Sequence, residues 1–162
     1  MRFWSISYPD LNNGLGCRVT LWVAGCSHHC KGCHNRQTWD FESGRLFTKT
    51  DKDKLFEVLN KSYIKGITLS GGDPMDSFHE ILDLVREIKE KFPSKDIWLY
   101  SGYTLKEIEN SFRNEIIPFI DYLVDGKFEI DKRDISLKFR GSSNQIIWAK
   151  DKDGKFVESN LN

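Results

Sequence analysis

Neither sign of charge is in excess in this chain: 24 lysine and arginine residues balance 24 aspartates and glutamates over 162 residues. That balance removes the overall electrostatic pull toward nucleic acid or an anionic membrane that a basic chain would have. Long apolar runs are missing too. The stretch from Val19 to Gly25 falls far short of the roughly 20 residues that a membrane-spanning helix needs. Met1-Arg2-Phe3-Trp4-Ser5 lacks the basic segment, apolar run and small-residue cleavage site of a secretory signal. The expected location is therefore cytoplasmic, with no membrane and no nucleic-acid partner. Cysteine is scarce, and three of the four cysteines fall between Cys26 and Cys33. A secreted scaffold would spread an even set along the chain to staple distant loops, so the clustering points to metal chemistry and not to disulfides. Internal repeats, low-complexity tracts and linkers are also missing.

What is present fits one globular domain, residues 1–162, with a core over about 17–126 and a less regular segment over 127–162. Apolar residues make up 39% and aromatics 13%, enough to bury a continuous core and too much for a disordered chain. Val19-Thr20-Leu21-Trp22-Val23 reads as a buried strand. A helix follows from Thr50, capped by Thr50 with Asp53, and then a strand at Ile67-Thr68-Leu69. Ser77 and Glu80 open a second helix whose apolar positions are Phe78, Ile81, Leu82, Val85, Ile88 and Phe92. Ile97 to Tyr100 is a third strand. Thr104 and Glu107 cap a shorter helix through Phe112, and Ile120 to Val124 is a fourth strand. Gln145 to Ala149 and Lys155 to Val157, around Asp151-Lys152-Asp153-Gly154, suggest a closing hairpin.

Strand and helix alternate, so the predicted fold class is α/β with a mostly parallel sheet built from right-handed crossovers. Gly25-Cys26, Gly71-Gly72-Asp73, Ser101-Gly102 and Asp125-Gly126 each follow the C-terminal end of a strand, where parallel α/β folds gather ligands. A closed eight-unit barrel takes about 250 residues. This chain has room for a partial, incomplete parallel β/α barrel.

Cys26-Ser27-His28-His29-Cys30-Lys31-Gly32-Cys33 has the spacing C-x3-C-x2-C, which brings three thiolates from one loop toward one metal centre. Three ligands on a four-iron cluster leave one iron free to bind a small molecule, as catalytic zinc sites keep a position open. The alternative is structural zinc completed by His28, His29 or His34. Cys17 is read as a small buried apolar side chain, the other possibility being a fourth ligand or redox thiol. His28 and His29 read as ordinary loop residues, and His79 as a solvent-facing residue in a first helical turn. Ser70-Gly71-Gly72-Asp73-Pro74 is either a tight turn before a helix or a place where the backbone approaches a ligand. A carboxylate and main-chain carbonyls there suit a ligand ammonium group.

These residues carry a family resemblance. The cysteine loop and the glycine-acid-proline turn resemble those of radical-SAM proteins. More narrowly, the chain resembles the activators of anaerobic ribonucleoside-triphosphate reductase within the glycyl-radical-enzyme activating family. The matching residues are Asn13 to Arg18, Gly25-Cys26, Cys33-His34-Asn35, Thr38-Trp39, Leu69 to Pro74, Asp125 to Phe128 and Arg140 to Gln145, running from about 8 to 148. Gly32 departs from the wider superfamily, where an aromatic residue commonly precedes the last cysteine, and His34 is a possible substitute for that ring.

The resemblance implies a 4Fe-4S cluster on Cys26, Cys30 and Cys33. It implies S-adenosylmethionine held at its methionyl end by Gly71, Gly72 and Asp73, and near its adenosyl part by Gly32, Cys33 and His34, with a ribose contact from Ser101. It implies reductive cleavage of the sulfonium to a 5'-deoxyadenosyl radical, which takes hydrogen from a glycine of the reductase large subunit, with a one-electron reductant protein as further partner. Arg140 to Gln145 would line a partner interface or form a structural turn. Competing readings are activation of pyruvate formate-lyase, turnover of a small molecule, and a zinc-stabilised binding module.

Overall fold

Alternation along the strands sorts the apolar side chains onto one face of a single sheet, and the helices pack on that face. The computed structural model describes residues 1–161; Asn162, the last residue of the expected unit, lies outside them. In chain order the elements are β1 (Arg2–Asp10), β2 (Arg18–Val23), β3 (Arg45–Leu46), α1 (Lys49–Leu59), β4 (Gly66–Gly71), α2 (Phe78–Lys91), β5 (Asp96–Tyr100), α3 (Leu105–Glu109), β6 (Tyr122–Asp125), β7 (Ile146–Lys150) and β8 (Phe156–Glu158). They form an eight-stranded sheet in the order β3-β1-β2-β4-β5-β6-β7-β8.

The inner strands β2, β4, β5 and β6 are parallel. Antiparallel pairs add β1 and β3 on one side and β7 and β8 on the other. The sheet is therefore mixed and not mostly parallel. The reason is that β1 to β2 and the β7–β8 hairpin are joined without a crossover helix, which only antiparallel neighbours allow.

Val19, Leu21, Val23, Ile67, Leu69, Ile97, Leu99 and Leu123 are buried against Leu55, Leu59, Ile81, Val85, Ile88 and Ile108 of the helices. Each such side chain contributes about 1.5–3 kcal/mol relative to exposure. Because side chains alternate across a strand, Arg18, Thr20, Trp22, Thr68, Ser70, Trp98, Tyr100 and Tyr122 occupy the opposite face. That face is polar and aromatic. Trp98 stacks on Tyr122 with ring centroids 4.3 Å apart, and Leu15 and Phe139 cover part of it.

Helix starts show where local signals compete. The cap of α1 is Thr48 with Asp51 and not Thr50 with Asp53; both pairs have the same spacing, but Asp51 also takes a two-pronged contact from Arg45 at 2.6 and 2.8 Å. Ser77 makes no capping bond to α2. Instead Asp73 accepts from Met75 N–H and opens a 3-10 turn at Pro74–Ser77 that leads into the helix. Thr104 and Glu107 form the expected capping box, but α3 ends at Glu109 and a 3-10 turn, Phe112–Phe119, follows. Among the described residues no helix is long and apolar enough to cross a membrane.

The Arg45 guanidinium and the Thr48 cap hold the Asp51 carboxyl well below the usual carboxylate range. A depressed folded-state pKa adds stability that is present above the ordinary value near pH 4 and lost as pH falls through the depressed one. Asp51→Asn is therefore expected to lower the urea midpoint at pH 7 and to leave it nearly unchanged at the acid end, the gap shrinking with added salt because Arg45 is exposed.

Candidate functional site

The C-terminal ends of β2, β4, β5 and β6 lie along one rim, and the segments that leave them enclose a cavity of about 140 Å³. Cys26, Cys30, Cys33, Gly71, Gly72, Asp73 and Ser101 all line it, together with His28, Tyr100, Phe128 and Gln145. A second cavity of about 540 Å³ adjoins it, sharing Cys33, Ser70, Tyr100, Phe128 and Gln145, and His34 lines that one. Gly32 borders neither among the described residues; it turns the loop at φ +76° beneath the Ile130 side chain.

Main-chain hydrogen bonds lock the cysteine loop to its surroundings. Gly25 N–H donates to Thr38 O at 2.8 Å and Cys26 N–H to Trp39 O at 3.0 Å. From the next strand Gly72 N–H donates to Val23 O and Asp73 N–H to Gly25 O, both at 2.8 Å. The glycines of this turn are required by that contact. Gly71 has φ +108°, and a Cβ there would lie 2.5 Å from Val23 O; one on Gly72 would collide with Gly25 O. The close backbone approach expected of Gly71 and Gly72 is thus made to the strand carrying the cysteines.

The thiols are set up as sulfur acceptors. Cys33 Sγ accepts from Asn35 N–H at 3.3 Å. Burial pushes the free Cys26 thiol up to about 11 and raises Cys30 as well. Only a cation or cluster that favours the thiolate reverses this, with release of protons. Hydrogen bonds to sulfur are what tune iron–sulfur centres.

Asp73 is the hub of the site. Its buried carboxylate receives His28 Nε2 at 2.7 Å, Ser101 Oγ at 3.0 Å, Gly102 N–H at 2.8 Å and Met75 N–H at 2.9 Å. Asp76, on the same 3-10 turn, accepts from Ser27 N–H at 2.7 Å and from Tyr103 Oη at 2.9 Å. Sequence reading treated His28 as an ordinary loop residue and passed over Asp76 and Tyr103. No signal in the sequence marks them, because their partners are 27 to 49 positions away in the chain. His29 takes a positive φ of 49° and stacks on Trp39 at 4.8 Å; His79 is exposed.

Residues 12–148 match the model of the 4Fe-4S single cluster domain family. Proteins named anaerobic ribonucleoside-triphosphate reductase-activating protein align along most of their length. The one from Vibrio cholerae is 48% identical over 86% of this chain and 93% of its own. That of Escherichia coli K12 is 48% identical over 86% and 94%, and that of Enterobacteria phage T4 46% over 88% and 90%. The chain belongs to the anaerobic ribonucleoside-triphosphate reductase-activating protein family.

Its 4Fe-4S domain therefore spans the rim just described. In this activating-protein fold Arg140 to Gln145 form a structural turn. Gln145 Oε1 accepts from Gly141 N–H at 2.9 Å while its Nε2 donates to Gly126 O at 3.0 Å, and Asn144 Nδ2 donates to Lys127 O at 2.8 Å. The turn thereby pins Asp125 to Phe128 beside the cysteines. Two buried polar atoms on the cavity wall, Tyr100 Oη and Trp39 Nε1, have no hydrogen-bond partner among the described residues. Buried polar groups are nearly always paired, so a wall with two orphans fits a bound polar group.

Proposed function

We propose that this chain activates anaerobic ribonucleoside-triphosphate reductase by installing a glycyl radical on its large subunit, using S-adenosylmethionine and a 4Fe-4S cluster. The observation that carries the reading is the meeting of Cys26, Cys30 and Cys33 with the Gly71-Gly72-Asp73 turn in one cavity. When bound, the cluster supplies the one electron that breaks the sulfonium carbon–sulfur bond.

Cys26, Cys30 and Cys33 would hold the cluster, and the loop offers no fourth thiolate. The turn at Gly71, Gly72 and Asp73 receives the methionyl end and orients the sulfonium. Ser101 contacts the ribose, while Cys33 and His34 border the adenosyl part, and Gly32, packed beneath Ile130, shapes the loop without reaching the ligand; His34 lies 5.8 Å from the Phe128 ring, centroid to centroid, so two rings are available in place of the missing aromatic residue. Phe128, Tyr100 and Trp39 shield the cavity from water.

The fold is read as an incomplete radical-SAM barrel forming one domain over 1–162. Helices on one face of four parallel strands and a polar hollow on the other support that reading, and the open side admits a glycine loop of a protein substrate. The reductant is a one-electron protein donor, and the location is cytoplasmic.

The test is anaerobic. Reconstituted protein is expected to bind near four iron and four sulfide per chain and, with S-adenosylmethionine, a reductant and the reductase, to give a glycyl-radical signal by electron paramagnetic resonance. Colourless protein with one zinc per chain, or no radical on any reductase, overturns the proposal.

A further inference from the structure

We infer that His28 is a positioning residue that links the cysteine loop to the Gly71-Gly72-Asp73 turn, keeping Asp73 filled so that a ligand ammonium is received by the main chain of the turn and not by this carboxylate. The inference deepens the reading above and rests on it.

An ionised carboxylate only accepts hydrogen bonds and offers about four lone-pair sites. Asp73 has four donors within 3.0 Å: His28 Nε2, Ser101 Oγ and two N–H groups, from Gly102 and Met75. His28 is 6% exposed and Asp73 1% exposed, so neither partner can turn to water. The imidazole also meets Tyr103 edge-on at 4.5 Å, centroid to centroid.

The backbone accommodates this ring. A Cβ on Gly102 would lie 2.6 Å from His28 Nε2, and no positive φ demands glycine there, so the small residue makes room for the imidazole. Asp76 holds the adjacent Ser27 N–H at 2.7 Å. The cysteine loop is therefore clasped at consecutive residues by two carboxylates of one turn, through the Ser27 main chain and the His28 side chain.

Three variants test this: His28→Ala, His28→Gln, whose amide reaches for the same carboxylate, and Gly102→Ala, which displaces the ring without removing it. Iron and sulfide are measured first, then S-adenosylmethionine affinity by anaerobic equilibrium dialysis, then the paramagnetic resonance spectrum of the reduced cluster with and without S-adenosylmethionine. Freeing the turn from the cysteine loop misplaces the main-chain acceptors and is expected to weaken binding about tenfold or more in His28→Ala and Gly102→Ala. Both should keep their iron and show an altered spectrum only when S-adenosylmethionine is present, and His28→Gln should recover most of the affinity. Wild-type affinity and spectra in both His28→Ala and Gly102→Ala overturn the inference, as does loss of iron from His28→Ala with full affinity in Gly102→Ala. A wild-type protein that holds the cluster but binds no S-adenosylmethionine overturns the proposed function instead.

Discussion

Cys30→Ala is expected to leave the protein folded, strip the iron to near zero and abolish cleavage of S-adenosylmethionine. Cys26 is the weaker choice for this test. Its backbone is hydrogen-bonded to Trp39 and its side chain is buried, so its loss would also loosen the rim. Cys30 sits half-buried in the loop, outside every strand and helix, so alanine there removes a sulfur and little packing. Two thiolates remain, too few to hold a four-iron cluster that already lacks one protein ligand. The measurements are iron and sulfide content, the brown chromophore and turnover of S-adenosylmethionine. Cys17→Ser is the companion: Cys17 packs beside the helix-face core next to the N-terminal end of β2, at the edge of the sheet away from the loop, and the variant should keep its full iron. Full iron and activity in Cys30→Ala would remove the ligand assignment; loss of iron in Cys17→Ser would add a fourth ligand.

Arg18→Ala is expected to be the most destabilising single change away from the cysteines. Arg18 is fully buried and pairs with Asp96 at 2.6 Å. Its remaining donors go to Thr68 Oγ1 at 2.8 Å, Leu15 O at 2.9 Å and Ile67 O at 2.7 Å, and the guanidinium lies 5.5 Å from the Trp98 ring centroid. One side chain thus ties the 11–17 loop to β4 and β5. Burial lowers the Arg18 pKa and raises that of Asp96, each partly offset by the other partner. Taking a pair of charges out of water has a desolvation cost that can exceed what their attraction returns. Such a pair contributes little net stability, yet removing one member strands the other.

The expected loss for Arg18→Ala is about 3–5 kcal/mol, or a fall in melting temperature of roughly 10 °C for a domain of this size. A double variant, Arg18→Met with Asp96→Ser, should recover a large part of it, because no unpaired charge is left. Urea midpoints of the reconstituted protein decide the matter, and equal stability of Arg18→Ala and wild type would show that the pair is not the tie described here.

The helix-face core was readable because its periodicity is strong: Phe78, Ile81, Leu82, Val85 and Ile88 repeat on one side of α2, and all are buried. The inner strands were readable for the same reason. β1 escaped because only Phe3 and Asp10 of its nine residues are buried, which leaves no alternation, and Pro9 argues against a strand until the register shift between Ser7 and Asp10 accommodates it. Two overlapping Thr-x-x-Asp pairs made the start of α1 ambiguous; the contact from Arg45 chose between them.

At the site, the residues that could hold a cluster were legible because they lie within one loop, and the glycine-acid turn because glycines next to an acid at a strand end are unusual. The glycines' purpose was not legible. Their close partner is the backbone of Val23 and Gly25, which becomes a neighbour only when β2 and β4 pair in parallel.

By itself the sequence determined the family, the three sulfur donors on one loop and the order of inner strands and helices, since these depend on spacing and periodicity along the chain. Only the tertiary structure decided that β1 and β3 join the sheet antiparallel, that Arg140 to Gln145 pin the Asp125 to Phe128 segment, and that His28, Ser101 and Gly102 converge on Asp73; the closing β7–β8 hairpin was already legible in the sequence. Those contacts join residues far apart in the chain, and a hydrogen bond between distant segments leaves no pattern along the sequence before folding brings its donor and acceptor together.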